Sequence, residues 1–455
     1  MAGLSTLPDD LILLVLSYVP SDTLLSLTTV SRALHRYSTS QLYRYVYLWE
    51  SHERHAANHR PPNIPGWRSR YQHLGKPPSY ATRIFDSSLF LRTITKSEQL
   101  RSYVVGASIT CQPDQEEAVF PMIQLLRPSL SYLHLKCTLG TFHQNRALLS
   151  AASCLEVDIL EKGEIDTQTG DLQNSAYKED IHSYFDLPNI RLLGLSGVRN
   201  WNLFTQDSAE KSSTSSITSL CLTSTVPADQ GLAKLLSWPK ALKSLRYELQ
   251  LSEISHCFFD LVLSNGTALS SKEFGVALRS QERNLEELFI YGASEGDRSG
   301  FEPTETIDLH LFTNLKYVGL PLTFLFISQA EATSRGISVS TTAISKILPP
   351  TLEELQIEIP HEYHWSSYFS LDPDDDDVEL HPGELSAFIY EIVKNKATRF
   401  TGLRSIVFWQ PGPVMNPETY TLEGEEGCGE VVEACKAANV HICWDENHAP
   451  PLFGS

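Results

Sequence analysis

Apolar residues in the first fifty positions recur at helical spacing. Leu11, Ile12, Val15, Leu16 and Val19 fall on one face, at i, i+1, i+4, i+5 and i+8. Thr6-Leu7-Pro8-Asp9-Asp10 ahead of them supplies a cap, a first-turn proline and two carboxylates suited to the positive end of a helix. This run predicts a short helix stopped by Pro20. A second start at Ser21-Asp22 leads into Leu24, Leu25, Leu27 and Val30 on a helix running through Arg32 and Leu34. A third at Ser38-Thr39-Ser40 leads into Leu42, Tyr45, Val46 and Trp49. Three helices this short carry more apolar face than they can bury among themselves, so part of it is expected to be an interface. The plainer alternative makes them core helices of a larger helical domain.

Farther along, the pattern changes. Prolines cluster at Pro61-Pro62, Pro65 and Pro77-Pro78, which marks a loop or linker. From about residue 100 a motif L-x-x-L-x-L recurs, its last two apolar positions two apart as in a strand. Strong copies begin at Leu130, Ile190, Ile217, Leu285, Leu315, Leu352 and Leu403, and weaker ones at Cys154 and Leu242. Such recurrence is the mark of leucine-rich repeats, but the gaps run from 24 to 51 residues, so the repeat is irregular. The Asn or Cys of regular repeats is replaced by Thr138, Val198, Thr225, Ala293, Thr323, Pro360 and Pro411. Helices are expected between strands at 114–127, 227–237, 255–264, 271–281, 341–348 and 383–398, each covering one side of a parallel sheet. A last helix over 425–439 and a strand over 440–444 would form a cap. The expected class is α/β, with residues 1–60 a helical module, 61–95 a linker and connecting segment, and 96–455 an irregular leucine-rich-repeat-like solenoid.

Composition adds exclusions. The 455 residues, 42% hydrophobic and 20% charged, are ordinary for a globular chain. A net charge of -19 opposes a polyanion, so no nucleic-acid partner is expected, and Arg54, His55, His59, Arg60, Arg68 and Arg70 read as a solvated basic face. The N-terminus lacks the basic stretch of a secretory signal, and the most apolar run, 318–327, is too short to span a bilayer, so no membrane association is expected. Eight scattered cysteines with no C-x-x-C pair read as reduced thiols of a cytoplasmic or nuclear protein.

Leu7-Pro8-Asp9-Asp10-Leu11, Val15-Leu16-Ser17-Tyr18-Val19, Leu24-Leu25-Ser26-Leu27, Val30-Ser31-Arg32 and Leu48-Trp49 resemble the F-box in order and spacing, over about residues 4 to 50. Asp9 and Asp10 stand where that family often has Glu, and Thr29 where it often has Cys. The irregular repeats and the phrase Leu348-Pro349-Pro350-Thr351-Leu352-Glu353-Glu354-Leu355 extend the resemblance to fungal F-box proteins with irregular leucine-rich repeats. The resemblance implies a non-catalytic substrate adaptor of an SCF-type ubiquitin ligase. Leu7, Pro8, Leu11, Ile12, Val15, Leu16, Leu24, Leu27 and Val30 would contact a Skp-type adaptor, or support those contacts, and that adaptor would bind a cullin. A protein substrate would lie on the strand face or the longer insertions, 162–180, 206–216, 292–306 and 361–380, with Tyr132, His134, Glu286, Glu287, Tyr317, Glu353, Glu354, Gln356, Glu358 and Arg404 as exposed candidates on the strand face. A scaffold without ubiquitin chemistry is the rival reading.

Other chemistry is weaker. Gly292-Ala293-Ser294-Glu295-Gly296 matches a nucleophile elbow, but the following Asp297-Arg298-Ser299-Gly300 cannot start the helix that would present Ser294. Asp372 to Glu379 is acidic without the glycine and glutamate spacing of a calcium loop. His52 with His55 and His361 with His364 lack further zinc ligands. No metal or cofactor is expected, and no Gly-rich phosphate loop follows a strand.

Overall fold

Every copy of L-x-x-L-x-L lays down one strand, because its last two apolar positions, two residues apart, point to a single face. The computed structural model describes residues 7–19, 21–48, 82–84, 87–111, 116–138, 146–150, 152–160, 183–196, 213–225, 230–249, 271–291, 307–325, 347–358, 384–409 and 429–444. The chain divides into a first unit, Met1–Ser196 with Pro451–Ser455, and a second, Gly197–Pro450.

The first unit opens with helices α1 (Asp9–Leu16), α2 (Ser21–Leu27) and α3 (Arg32–Arg44). The boundary between the last two differs from the sequence expectation. The second helix stops at Leu27, and Ser31, in extended conformation, accepts a hydrogen bond from the Leu34 N–H at 3.2 Å. Ser31 is therefore the N-cap of α3, and Ser38 to Ser40 lie inside that helix. Nor does the third helix reach Trp49. The chain turns extended at Tyr45 and runs as strand β1 (Tyr45–Leu48), where aromatic and branched residues favour a pleated surface over a helix.

Strand β1 lies between β2 (Thr82–Ile84) and β3 (Gly106–Cys111), and β4 (Tyr132–Thr138), β5 (Cys154–Leu160) and β6 (Leu192–Ser196) follow in order, all parallel. Gly106 sits opposite Tyr45, and a Cβ there would stand 2.5 Å from the Tyr45 ring, so only glycine allows the close approach. Val46, Ala107, Leu133, Leu155 and Leu193 form one buried row in register. Leu48, Ile109, Leu135, Val157 and Leu195 form the next. Helices α4 (Ser87–Lys96), α5 (Glu98–Tyr103), α6 (Glu116–Leu126) and α7 (Arg146–Leu149) belong to the same unit, and α6 buries Val119, Met122, Ile123 and Leu126. The stretch read as a connecting segment thus contains β2 and most of α4.

The second unit carries β7 (Ser219–Thr225), β8 (Ser244–Leu249), β9 (Glu287–Tyr291), β10 (Tyr317–Pro321), β11 (Glu354–Glu358), β12 (Ser405–Trp409) and β13 (His441–Trp444), parallel and adjacent in chain order. Leu220, Leu245, Leu288, Val318, Leu355 and Ile406 make its buried row. Helices α8 (Gln230–Leu236), α9 (Ser271–Leu278), α10 (Leu322–Leu325), α11 (Glu384–Lys394) and α12 (Gly429–Ala437) lie between its strands in the chain. They bury Leu232, Leu235, Phe274, Phe324, Phe388, Ile392 and Cys435 among others. Asn439 ends α12 in the left-handed region, at φ 54°, and turns the chain into β13.

The expected helix over 255–264 lies outside the described residues, as do all but the last two residues of that over 341–348. Among the described residues no helix is long and apolar enough to cross a membrane.

Candidate functional site

Helix α1 reads Asp-Asp-Leu-Ile-Leu-Leu-Val-Leu, apolar on every side after its first turn, so it cannot hide its whole surface against two neighbours. Ile12 and Leu16 turn inward and join Leu24 of α2 in a small core, closed by half-buried Val19, Leu27, Tyr37 and Leu42. The polar rim fixes the helix in place. The Tyr37 hydroxyl donates to the Asp9 carboxylate, which pushes its pKa up, and the Gln41 amide donates to the Leu13 carbonyl at 3.4 Å. His35 Nδ1 lies 2.9 Å from the Thr28 carbonyl and ties α3 to the end of α2.

What remains outside is a dense apolar surface. Leu7, Leu11, Val15 and Val30 are 41%, 48%, 52% and 65% exposed, and Pro8 is exposed beside them. Of the nine residues read as adaptor contacts or their support, these five face solvent, Ile12, Leu16 and Leu24 are interior, and Leu27 is half-buried behind them. Leu14, Tyr18 and Leu25 are also exposed and were not among the nine. Helical phase could have found them, because neighbours of inward Leu16 and Leu24 at other angles must face outward. A cluster of large apolar side chains in water on so few residues marks an interaction surface.

The sheets present a second kind of surface. Between the buried leucine positions of the second unit runs the row Cys221, Arg246, Phe289, Gly319, Gln356 and Val407, in register across β7 to β12. This row corrects the exposed-face reading. Gln356 and Glu358 are buried, as are Tyr132 and His134 in the first unit, while Glu286, Glu287, Tyr317, Glu353 and Glu354 are half-buried and Arg404 is exposed. Both faces of these strands are thus largely removed from water, where alternation had implied one wet face.

Polar groups on and beside this row are linked. The Tyr291 hydroxyl donates to Gln356 Oε1 at 3.1 Å, Gln356 Nε2 donates to Glu354 at 2.7 Å, and Ser405 Oγ donates to the other Glu354 oxygen at 2.8 Å. Arg246 lies over the Tyr291 ring at 5.3 Å and places Nη2 3.4 Å from Glu248. Burial opposes its charge, but Glu248, Cys221 and Tyr291 more than offset this and its pKa stays raised.

In the first unit Ser108 Oγ and His134 Nδ1 are 2.8 Å apart, both buried, with Glu156 opposite His134 in the register of β5. The pair has the residue types of a nucleophile and its base. Its strand amides, however, belong to the sheet ladders on both sides, so they are not free to stabilise an oxyanion. The arrangement satisfies two buried polar groups. The Gly292 to Gly296 elbow, the acidic run Asp372 to Glu379, the His52/His55 and His361/His364 pairs, the basic stretch from Arg54 to Arg70, and the insertions 162–180, 292–306 and 361–380 all lie outside the described residues, as does most of the insertion 206–216. Among the described residues no group of three or more His, Cys, Asp or Glu could hold a metal.

No curated protein matches this chain. The exposed apolar surface and its supporting core fall within residues 4–49, which match the F-box-like family, and F-box domains generally bind Skp-type adaptors. Residues 4–49 therefore form an F-box-like domain, which supports an F-box protein and suggests an adaptor role in an SCF-type ligase.

Proposed function

We propose that this chain is the substrate-recognition subunit of an SCF-type ubiquitin ligase, a fungal-type F-box protein whose strand-bearing part is an irregular leucine-rich-repeat-like receptor. The observation that carries the reading is the coincidence of the F-box-like match with seven large apolar residues, Leu7, Leu11, Leu14, Val15, Tyr18, Leu25 and Val30, left in water. Burying such side chains contributes about 25 cal/mol per Å², enough to hold a helical partner. Leu7, Pro8, Leu11, Val15 and Val30 touch the Skp-type adaptor. Ile12, Leu16, Leu24 and Leu27 set the angle of α1 against α2. The adaptor brings a cullin, and the sheet-bearing part holds a protein substrate in the cytoplasm or nucleus. This chain contributes no catalytic group. Holding substrate lysines beside a charged donor raises their effective concentration, and that is its share of the rate.

Affinity capture of the full chain beside a Leu11→Ser/Val15→Ser variant tests the reading. Both positions are solvent-facing, so the variant keeps its fold, which circular dichroism checks. Recovery of adaptor and cullin with the parent chain and their loss with the variant is the expected result. Equal recovery with both, or none with either, overturns it. Adaptor recovered without cullin supports the second reading, a scaffold that uses the same surface outside ubiquitin transfer.

A further inference from the structure

The parallel register of the first unit sets two cysteines opposite each other. Cys111 ends β3, Cys137 stands next to last in β4, and the two are Cα partners in the last pair of that ladder. On its other side Cys137 is opposite Ile159 of β5. Strand positions two apart share a face, so Cys111, Cys137 and Ile159 continue the face that carries the buried row of Ile109, Leu135 and Val157. Among the described residues no other strand pairing matches cysteine with cysteine. Cys154 is opposite Tyr132 and Leu192, Cys221 opposite Arg246, and Cys443 opposite Val407.

Neighbouring strands lie about 4.8 Å apart, so these two Cα positions fall within the roughly 4.4–6.8 Å that a disulfide spans. Parallel strands in register also keep their Cβ positions about one strand spacing apart, near 4.8 Å. A disulfide favours roughly 3.5–4.5 Å between them. The bond is therefore within reach but strained, and strain makes a disulfide easier to reduce. The ladder of β3 with β4 goes no further than this pair, so closing it draws the strand ends together without shifting the buried rows behind.

We propose that Cys111 and Cys137 form a redox-modification site, a dithiol that hydrogen peroxide converts reversibly to a disulfide across β3 and β4. One thiolate attacks a peroxide oxygen and breaks the O–O bond, leaving a sulfenic acid and a hydroxide that takes up the thiol's proton as water. The second thiol attacks that sulfur, the S–S bond forms, and the sulfenic oxygen leaves as a second water. The two sulfurs together give up the two electrons that reduce one peroxide. Two glutathione thiols reverse the change by exchange. The closed loop contains α6, which lies between the two cysteines in the chain. This site goes beyond the ligase reading and does not depend on it.

The test treats the full chain, fully reduced, with hydrogen peroxide and blocks the remaining thiols with iodoacetamide. Disulfide-linked peptides are then mapped by mass spectrometry without reductant. A link between Cys111 and Cys137 is expected as the main product, formed with loss of two thiols per peroxide and reopened by excess reduced glutathione. The chain unfolded in urea is the control, because its eight cysteines pair there without a register. The proposal is overturned if both thiols still react with iodoacetamide after peroxide, or are oxidised to acids without a link. Either cysteine joined mainly to another partner overturns it as well, and so does a link no more abundant than in urea. A link that glutathione leaves closed overturns the reversible site and makes the bond a permanent staple.

Discussion

Lys316 holds its ammonium 3.0 Å from one carboxylate oxygen of Glu353, whose other oxygen lies 3.4 Å from Arg404. Each of the three is the residue just after the first apolar position of its L-x-x-L-x-L copy, and the same position in the two preceding copies holds Lys243 and Glu286, 2.8 Å apart. Signs therefore alternate from β8 to β12 along one line, and each neighbouring pair also shares a backbone N–H to carbonyl bond of 2.7 to 2.9 Å. A slip of one strand by one residue would break the line, so the charges favour the observed register.

Reversing the central charge tests this. Glu353→Lys sets three cations side by side and is expected to lower Tm, while Glu353→Gln lowers it less, by about 2 °C or under, given the small worth of exposed pairs. High salt should shrink both differences, because these groups are screened. The hydrogen bond to Glu353 and its charge raise the Lys316 pKa above the ordinary 10.5. A raised lysine stabilises fully below its unfolded value, so the contribution persists at neutral pH and is lost only as pH climbs beyond 10.5. Thermal melts of the parent and Glu353→Gln should therefore converge on the alkaline side.

Leu24 and Leu25 are neighbours with opposite roles, 1% and 62% exposed. Leu24→Ala removes a core side chain and is expected to cost about 2–5 kcal/mol. Leu25→Ala is expected to leave Tm unchanged and to weaken capture of a Skp-type adaptor. Chemical denaturation and adaptor binding on the two variants separate support from contact. Equal loss of stability in both would mean that the helices are core helices of a larger body.

Cysteine reactivity should follow burial. The Cys435 thiol in α12 is buried and its pKa is pushed up to about 11, whereas Cys221 and Cys443 are half-buried. Thiolate is the reactive species, so alkylation near pH 8 is expected to label Cys443 and Cys221 well before Cys435, with denaturant abolishing the difference. The raised value also means that stability is lost as pH rises from 9.0 towards 11, since the unfolded thiol ionises first. Peptide mapping by mass spectrometry after timed alkylation reads the order.

Strands were more legible than helix ends or exposure. All nine copies of L-x-x-L-x-L became β4 to β12, because buried residues two apart leave a pattern that survives irregular spacing. Strand β3 escaped notice for a physical reason. Gly106 and Ala107 stand where the motif has large residues, and at Gly106 the Tyr45 ring of the neighbouring strand fills the space. Helix α3 was misplaced by seven residues because Ser38, Thr39 and Ser40 look like a start, and only the hydrogen bond to Ser31 identifies the cap. Alternation also misassigned the faces of β4 and β11. It distinguishes the two sides of a strand, but burial of His134 and Gln356 depends on what packs there from elsewhere. In the F-box-like helices the inward residues were readable from spacing, yet Leu14, Tyr18 and Leu25 were passed over, since an outward leucine looks like any other in the sequence.

The contact between Tyr45 and Gly106 ties the end of the F-box-like segment to the sheet of its own unit, and it makes a sharper prediction than a simple loss of packing. Gly106→Ala places a methyl group 2.5 Å from the ring of a tyrosine that is only 5% exposed, with the Tyr132 ring 3.4 Å away on the other side. Neither ring has free space, so the variant is expected to lose about 1–3 kcal/mol. The clash is with a side chain and not with backbone, so shrinking that side chain should restore part of the loss. Tyr45→Val alone leaves a cavity and destabilises, but in the double variant the added methyl fills some of that cavity, and the two effects should fall short of their sum. Denaturant unfolding of the four proteins in this cycle measures the coupling. Strict additivity would mean that β1 and β3 do not pack in this register, whereas a favourable coupling fixes the junction at these two residues.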